Sequence, residues 1–173
     1  MKRMVVLLAV LLSGCQGGWF GSDIKGDVCP YVQILRDKSY LTQYVNYKET
    51  FQVSINGYEG YCYYDNKLER HRAVIYPIFK IKRLTASDET DVRFSYYTET
   101  VKGPPEYLGK KTYFANVHIK EGELETYYKA PAAKVFIPSE AGYDYDINLA
   151  LWLSPEEEHY NHRTFDINYL YVE

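Results

Sequence analysis

The stretch Phe51-Gln52-Val53-Ser54-Ile55 decides the fold class, because apolar and polar side chains alternate along it without interruption. Successive side chains of a β-strand point to opposite faces, so the alternation places three apolar residues on one face. The pattern predicts a domain made mainly of strands. The same period of two returns in five later segments, and the residues that share one face in each are Tyr58, Gly60, Cys62 and Tyr64; Val92, Phe94, Tyr96 and Thr98; Tyr113, Ala115, Val117 and Ile119; Tyr143, Tyr145, Ile147, Leu149 and Leu151; Phe165, Ile167, Tyr169 and Tyr171.

Two longer apolar segments complete the predicted strands. Residues Val74 to Leu84 are expected to form one long strand, in which Pro77 indicates an edge position or a bulge because proline cannot donate a ladder hydrogen bond. Residues Leu124 to Ile137 are a second strand region, broken near Pro131. We expect roughly seven to nine short strands, the last of them at residues 165–171.

One helix is predicted near the C-terminus. Ser154-Pro155-Glu156-Glu157 places serine at the N-cap, proline at the first helical position and glutamate three residues after the cap, which is a capping box. We expect a short helix that ends near Asn161 in a left-handed conformation, with Tyr160 facing the core and Arg163 near the last carbonyls. These elements predict an all-β antiparallel β-sandwich of immunoglobulin-like type with one short C-terminal helix, and a small closed β-barrel is the alternative.

The N-terminus has the features of an export signal. Lys2 and Arg3 precede the apolar run Met4 to Leu12, which is shorter than the about 20 residues that a membrane-spanning helix needs. The run leads into Leu12-Ser13-Gly14-Cys15, which resembles the lipobox of bacterial lipoproteins. The resemblance implies cleavage before Cys15 and attachment of fatty acyl chains, such as palmitate, to that cysteine. An ordinary signal peptide or an uncleaved anchor is the alternative.

This interpretation divides the chain into three parts. Residues 1–14 are the predicted signal peptide, residues 15–27 a glycine-rich lipidated tether, and residues 28–173 a single β-sandwich domain. Gln16 follows the cysteine in place of the aspartate that retains many such lipoproteins in the inner membrane. We therefore expect the protein at the outer membrane, facing the periplasm.

The other two cysteines, Cys29 and Cys62, are an even number in a chain predicted to be exported, which indicates a disulfide. Closing a loop of about 33 residues stabilises a fold by roughly 3–4 kcal/mol in the chain-entropy model. A two-thiol metal or redox site is the alternative, although Cys-x-x-Cys spacing is absent.

Charge and aromatic content limit the classes of partner. Removing Lys2 and Arg3 from 20 basic residues leaves 18 against 23 acidic ones, a net charge of −5, so we expect no nucleic-acid partner. The 20 tyrosines fit a strand-rich chain, because tyrosine favours half-buried sheet positions. They are also compatible with an adhesive or sugar-stacking surface.

A search for reactive constellations gives no catalytic residue. Asp144, Asp146 and Asn148 resemble the start of a calcium loop, but Leu149 and Pro155 occupy the positions that need glycine and glutamate. His159 and His162 have a spacing that can share a metal, but no third ligand is identifiable. We therefore predict that the protein is not an enzyme and holds no metal or cofactor.

Three groups of residues resemble a family of small alphaproteobacterial lipoproteins. They are Cys29-Pro30 followed by Ile34-Leu35 and Leu41-Thr42, then Gly60-x-Cys62-x-Tyr64-Asp65, and finally Ser154-Pro155-Glu156-Glu157 with Tyr160-Asn161-x-Arg163. The activity of that family is unassigned. The resemblance implies the cysteine pair, the lipid anchor and a β-rich domain, and it carries over no catalytic residue.

Three functions follow in order of preference. The first is a non-enzymatic envelope lipoprotein, a structural or protein-interaction module held on the membrane by its lipid and contacting an envelope protein through sheet edges and tyrosine surfaces. The second is a module that binds cell-wall glycan, with peptidoglycan as the partner. The third is a hydrolase with an unrecognised pair of carboxylates. An exposed aromatic patch favours the first, a groove lined by Tyr, Asp and Asn the second, and two carboxylates in a deep pocket the third.

Overall fold

Nine strands and one α-helix follow one another in the computed structural model, which describes residues 29–68, 70–86, 89–102, 106–137 and 145–169. The elements are β1 (Tyr31–Ile34), β2 (Tyr40–Val45), β3 (Lys48–Asp65), β4 (Arg70–Arg83), β5 (Asp91–Lys102), β6 (Glu106–His118), β7 (Glu125–Lys129), β8 (Ala133–Ile137), β9 (Tyr145–Leu151) and α1 (Pro155–Tyr169). A single turn of 3-10 helix, Arg36–Lys38, connects β1 to β2.

The strands form two sheets, which confirms the predicted all-β sandwich. One sheet has four strands in the order β1-β9-β5-β6, and the other has the path β2-β3-β4-β7, with β8 also paired to β4. One of the two sheets is curled into a half-barrel, so the fold also has a feature of the predicted barrel. All described pairings are antiparallel except that of β1 with β9, which runs parallel and places Val32 beside Ile147.

Pro77 lies at an interruption of the five-stranded sheet, close to the prediction of an edge or a bulge. On one side of β4, β8 pairs with residues 71–75 and β7 with residues 78–82, so Pro77 falls in the gap between these two partners. On the other side, β3 carries a bulge between Ile55 and Gly57. The proline therefore occupies a position that needs no ladder donor, while its carbonyl accepts a hydrogen bond from the Ala130 N–H (2.8 Å).

The core lies between the two sheets and is built from the predicted alternating faces. Phe79 of the five-stranded sheet meets two rings of the four-stranded sheet, with centroid distances of 4.8 Å to Phe94 and 5.0 Å to Tyr96. These rings are buried with aliphatic side chains from both sheets. The buried members of the predicted faces are Phe51, Val53, Ile55, Val92, Phe94, Tyr96, Thr98, Ala115, Val117, Ile119, Tyr145, Ile147, Leu149 and Leu151.

Burial of Tyr96 makes the free energy of unfolding depend on pH in the alkaline range. Desolvation, with smaller contributions from Tyr128 and Tyr113, raises the pKa of Tyr96 from 10.0 to about 12. Above pH 10 the unfolded chain releases this proton while the folded chain keeps it. The free energy of unfolding is therefore expected to fall as the pH rises from 10 to 12, by up to about 1.4 kcal/mol per pH unit. Chemical unfolding across this range should show a shallower fall for Tyr96→Phe, and identical slopes for the two proteins would contradict the assignment.

Helix α1 begins as predicted and ends later than predicted. The Ser154 N–H donates to a Glu157 carboxylate oxygen (2.7 Å), and the Glu157 N–H donates to the Ser154 hydroxyl (3.3 Å), which completes the capping box. The helix then continues to Tyr169. The predicted end near Asn161 is therefore wrong, and so is the predicted strand over residues 165–171 for Phe165, Ile167 and Tyr169.

Three further expectations for this helix need correction. Asn161 does not adopt the left-handed end position: its side chain is buried and donates to the backbone oxygens of Asp37 (3.0 Å) and Tyr40 (2.7 Å). Tyr160 is exposed rather than packed in the core, and Arg163 lies within the helix rather than beyond its last turn. The buried asparagine amide, together with an ion pair between Lys38 and Glu158, attaches α1 to the β1–β2 connection.

We expect Asn161→Ala to destabilise the fold by about 1–3 kcal/mol, because two carbonyls facing a buried side chain lose their donor. The neighbouring His159→Ala is the matched control, since His159 is exposed on the same helix. Urea unfolding of the two variants measures the difference. Equal stabilities would show that the amide does not attach the helix.

Several predicted features lie outside the described residues. They are the signal peptide (1–14), Cys15 with its tether (15–27), and Tyr143, Asp144 and Tyr171.

Candidate functional site

Cys29 and Cys62 lie at disulfide-bonding distance, with 5.8 Å between their Cα atoms. Cys29 precedes β1 of the four-stranded sheet, and Cys62 belongs to β3 of the five-stranded sheet. The predicted pairing therefore joins the two sheets at the point where the domain follows the predicted tether. This arrangement agrees with the disulfide interpretation and leaves Cys15 as the remaining cysteine of the chain.

A cavity of about 330 Å³ opens beside the cysteine pair. It is mostly apolar, and Glu59 is the one acidic residue in its lining; the Glu59 carboxylate forms an ion pair with Lys129. A carboxylate-pair hydrolase needs two such groups, so the cavity gives that alternative no support. The lining residues are Cys29, Pro30, Val32, Tyr58, Glu59, Gly60, Tyr61, Cys62, Ala73, Val74 and Ile75.

Gly60 at this cavity is required by the close approach of β4. A Cβ atom built on Gly60 would lie 2.7 Å from the Val74 carbonyl oxygen, closer than real Cβ contacts allow. Because the obstacle is backbone, it cannot rotate away as a side chain could. The glycine thus permits the tight packing of β3 and β4 next to Cys62.

Gly60→Ala is expected to destabilise the domain by about 1–3 kcal/mol, since the added methyl group forces the two strands apart. Gln52→Ala, on the outer face of the same strand, serves as the control. Thermal unfolding followed by circular dichroism compares the two variants. An unchanged midpoint for Gly60→Ala would show that the strands separate without cost.

Aromatic side chains cover the outer face of the β3–β4 hairpin. The Tyr61 and Tyr63 rings lie 6.1 Å apart, and Tyr61 shares a hydrogen bond with Tyr76. Phe136 of β8 extends the patch and is 48% exposed. Below these rings Val74 is 2% exposed, although it points away from the core. We call this surface, formed by Tyr61, Tyr63, Tyr76 and Phe136, the hairpin face.

Basic side chains accompany the hairpin face. The Arg72 guanidinium lies 4.7 Å from the Phe136 ring centroid and pairs with Asp65 (2.8 Å), and the Arg70 guanidinium lies 5.8 Å from the same ring. The Lys129 ammonium lies 5.3 Å from the Tyr76 ring centroid. Cations over aromatic faces are attracted by the ring quadrupole, so the face combines apolar rings with positive charge.

Desolvation raises the pKa of Tyr61, and its hydrogen bond with Tyr76 raises it further. The Tyr61 phenol therefore stays neutral at physiological pH and adds no negative charge to the hairpin face.

A second exposed aromatic pair lies on the outer face of the four-stranded sheet. Phe114 of β6 pairs with Ser95 of β5, and the backbone N–H of Trp152 donates to the backbone carbonyl oxygen of Ser95 (2.9 Å), so the two aromatic residues flank one small side chain. Phe114 is 85% exposed and Trp152 is 52% exposed. Exposure of this degree on one row of a sheet is typical of a contact surface. We call this pair the Phe114–Trp152 row.

Lys110 lies beside this row and contacts the Trp152 ring. Its ammonium is 3.5 Å from the Tyr97 ring centroid and 4.4 Å from that of Trp152. The Tyr97 ring is buried and meets Trp152 edge-on at 5.9 Å. Lys110 and Tyr97 thus contact Trp152 from two sides, while Phe114 projects into solvent.

The structure does not bring the predicted metal candidates together. Asp146 is exposed on β9, while Asn148 donates to Glu99 (3.4 Å), and His159 and His162 are exposed on α1. Within the described ranges, no three side chains of His, Cys, Asp or Glu converge on a common point. In the same part of the chain, no helix has both the length and the apolar character that crossing a bilayer requires.

Comparison with known proteins adds no relative: no protein-family model, curated protein or solved structure matches this chain. The resemblance to small lipoproteins therefore stays a prediction, and the function has to be argued from the residues themselves.

Proposed function

We propose that this chain is an exported, lipid-anchored protein of the cell envelope whose β domain acts as a non-enzymatic interaction module. The observation that carries the proposal is the placement of Cys29 and Cys62 at disulfide-bonding distance. A disulfide persists in an oxidising compartment, and this pairing leaves only Cys15 for lipid attachment. The lipobox-like sequence before Cys15 supplies the anchoring signal. In this proposal the protein is attached to the outer membrane and faces the periplasm.

The Phe114–Trp152 row is the surface that we propose for a protein partner. Aromatic residues are enriched at the centres of protein interfaces, where a rigid ring buries a large area at small entropic cost. Phe114 projects from the edge strand of its sheet, and the Lys110 ammonium lies against the Trp152 ring. These features support recognition of an apolar surface on another envelope protein.

Lipid attachment is tested by mass spectrometry of the protein purified from its membrane. We expect a chain that begins at Cys15 with acyl chains on it and with no free thiol at Cys29 or Cys62. The variant Cys15→Ser should lose the acyl adduct. An initiator methionine on the native product, or two free thiols, would refute this proposal.

The partner surface is tested by photo-crosslinking in intact cells. A photoreactive phenylalanine analogue at position 114 should give a discrete protein adduct, because Phe114 is the most exposed residue of the row. The same analogue at Asn116 is the matched control, since Asn116 is exposed two residues along the same strand face. Equal crosslinking from both positions, or recovery of peptidoglycan fragments alone, would end the protein-partner proposal.

A glycan-binding module is the second candidate, favoured by Tyr58, which lines the cavity and points to the same face of β3 as Cys62. Tyrosine rings can stack on the apolar faces of sugars, although the predicted Asp and Asn partners are not among the lining residues. Calorimetric titration with soluble peptidoglycan fragments tests this candidate. Binding that is lost in Tyr58→Ala and kept in Phe114→Ser would favour glycan over protein.

A further inference from the structure

We propose that the hairpin face, together with the tip of its hairpin, rests on the anionic lipid surface of the membrane that carries the anchor. The inference rests on the proposed lipid attachment and adds to it an orientation of the whole domain. Three observations carry it: where the tether joins the domain, which aromatic residues lie there, and which charges surround them.

The tether joins the domain at β3, the strand that carries Tyr61 and Tyr63, although Cys62 points to the opposite face of that strand. The described chain begins at Cys29, which is held against Cys62, and Cys62 lies between Tyr61 and Tyr63 in sequence. Cys62 is also only three residues from the end of β3 at Asp65. The residues between Cys15 and Cys29 span at most about 45 Å when fully extended. A tether of this length lets the β3–β4 hairpin reach the bilayer, and the aromatic and charged side chains of the hairpin face select the side of the hairpin that contacts it.

The exposed apolar residues at this end are of the types that suit a lipid interface. Tyr61 and Phe136 are each 48% exposed, and Leu68 at the hairpin tip is 45% exposed. Tyrosine places an apolar ring and a polar hydroxyl at the boundary between acyl chains and headgroups. The Tyr61 phenol is neutral, so placing it next to the lipid headgroups does not require the desolvation of a charged group.

The charges of the described residues around the hairpin face are mainly positive, although the chain as a whole is acidic. Asp65 and Glu59 are each occupied by an ion pair, with Arg72 and Lys129 respectively. Among the described residues, Lys67, Arg70 and Lys134 have no ion-pair partner. Basic side chains near an anionic leaflet bind it electrostatically. Lys67, Arg70 and Lys134 therefore complement the charge of an anionic membrane.

The test measures which lysines the membrane protects. The full-length protein, as processed by the cell, is reconstituted into vesicles of phosphatidylethanolamine and phosphatidylglycerol, and separately into vesicles of phosphatidylcholine alone. A water-soluble acylating reagent then labels exposed lysines, which mass spectrometry quantifies. We expect Lys67 and Lys134 to react about tenfold more slowly in the anionic vesicles, and high salt to remove that protection. Lys48, at the other end of β3, and Lys120 should react equally in both.

A charge-reversal pair supplies the matched comparison. Arg70→Glu with Lys134→Glu should return Lys67 to its reactivity in phosphatidylcholine vesicles. Lys48→Glu with Lys120→Glu changes the net charge by the same amount and should leave the protection of Lys67 and Lys134 intact. Circular dichroism confirms that both double variants are folded, since all four side chains are exposed.

Three outcomes would overturn the inference. Equal labelling in both kinds of vesicle means that the face does not recognise anionic lipid. Protection that rises with protein density in either vesicle assigns the face to a second copy, and protection only by added peptidoglycan assigns it to the wall. If the mass of the protein shows no acyl chain on Cys15, that measurement refutes the proposed lipid attachment, independently of the labelling. The same labelling with vesicles added to the unlipidated protein still decides whether the hairpin face binds lipid.

Discussion

Phe79→Ala is expected to lower the free energy of unfolding by about 3–5 kcal/mol, which is a large part of the stability of an ordinary domain. Phe79 is fully buried and is the ring through which the five-stranded sheet meets Phe94 and Tyr96 of the four-stranded sheet. Removing it loses the transfer free energy of the ring and leaves a cavity between layers that relax only in part.

Equilibrium unfolding in urea measures this effect, with Phe136→Ala as the matched control. Phe136 is also a phenylalanine in the five-stranded sheet, but it is half-exposed on the outer face. Its loss should cost less than about 1 kcal/mol. Similar losses for the two variants would show that the centre of the core does not lie at Phe79.

Removal of the Cys29–Cys62 disulfide is expected to cost about 3–4 kcal/mol, because the unfolded chain gains the freedom of a loop of about 33 residues. The pair also connects the two sheets next to the cavity, so its loss should loosen β1 from β3. The double variant Cys29→Ala with Cys62→Ala measures the effect by urea unfolding. Hydrogen exchange should show the largest increase in β1.

Reduction of the wild-type protein provides the control for this experiment. The reduced protein and the double variant should have the same stability, because both lack the covalent link. If reduction leaves the unfolding midpoint unchanged, the cysteines do not cross-link the folded domain. A double variant much less stable than the reduced protein would instead show that the thiols pack as core side chains.

Local patterns predicted the strands and the helix start because their causes lie close together in sequence. The alternation of Phe51, Val53 and Ile55 reports one buried face, and Ser154 and Glu157 form a capping box within a single helical turn. Pro77 likewise predicts an interruption of the strand ladder for a local reason, because proline has no backbone N–H. Each of these patterns needs no knowledge of distant residues.

The errors arose where a distant contact decides the outcome. The alternation at Phe165 and Ile167 suggested a strand, but the helix that starts at Ser154 continues through them. Asn161 was expected to end this helix, and it instead binds backbone oxygens of Asp37 and Tyr40, which are far away in sequence. No pattern within a few residues of Asn161 could indicate those partners.

The candidate surfaces were predicted only in part for the same reason. The abundance of tyrosine was compatible with an aromatic surface but did not locate one, although the period of two puts Tyr61 and Tyr63 on the face opposite Cys62. Their proximity to Phe136 and Arg72 depends on the pairing of β8 with β4. The Phe114–Trp152 row likewise depends on β5 lying between β6 and β9. Strand order is a property of the whole domain, so neither surface can be located from its own segment.

The parallel pairing of β1 with β9 has a consequence for how the protein matures. Val32 lies beside Ile147, so the first strand of the described residues pairs with the last one. Until β9 has been synthesised, the backbone hydrogen-bonding groups of β1 have no strand partner, and such long-range pairing folds slowly. A chain that crosses a membrane N-terminus first would therefore arrive with an incomplete sheet. In the proposed export route, the open edge of β1 therefore stays accessible to chaperones until β9 has crossed the membrane.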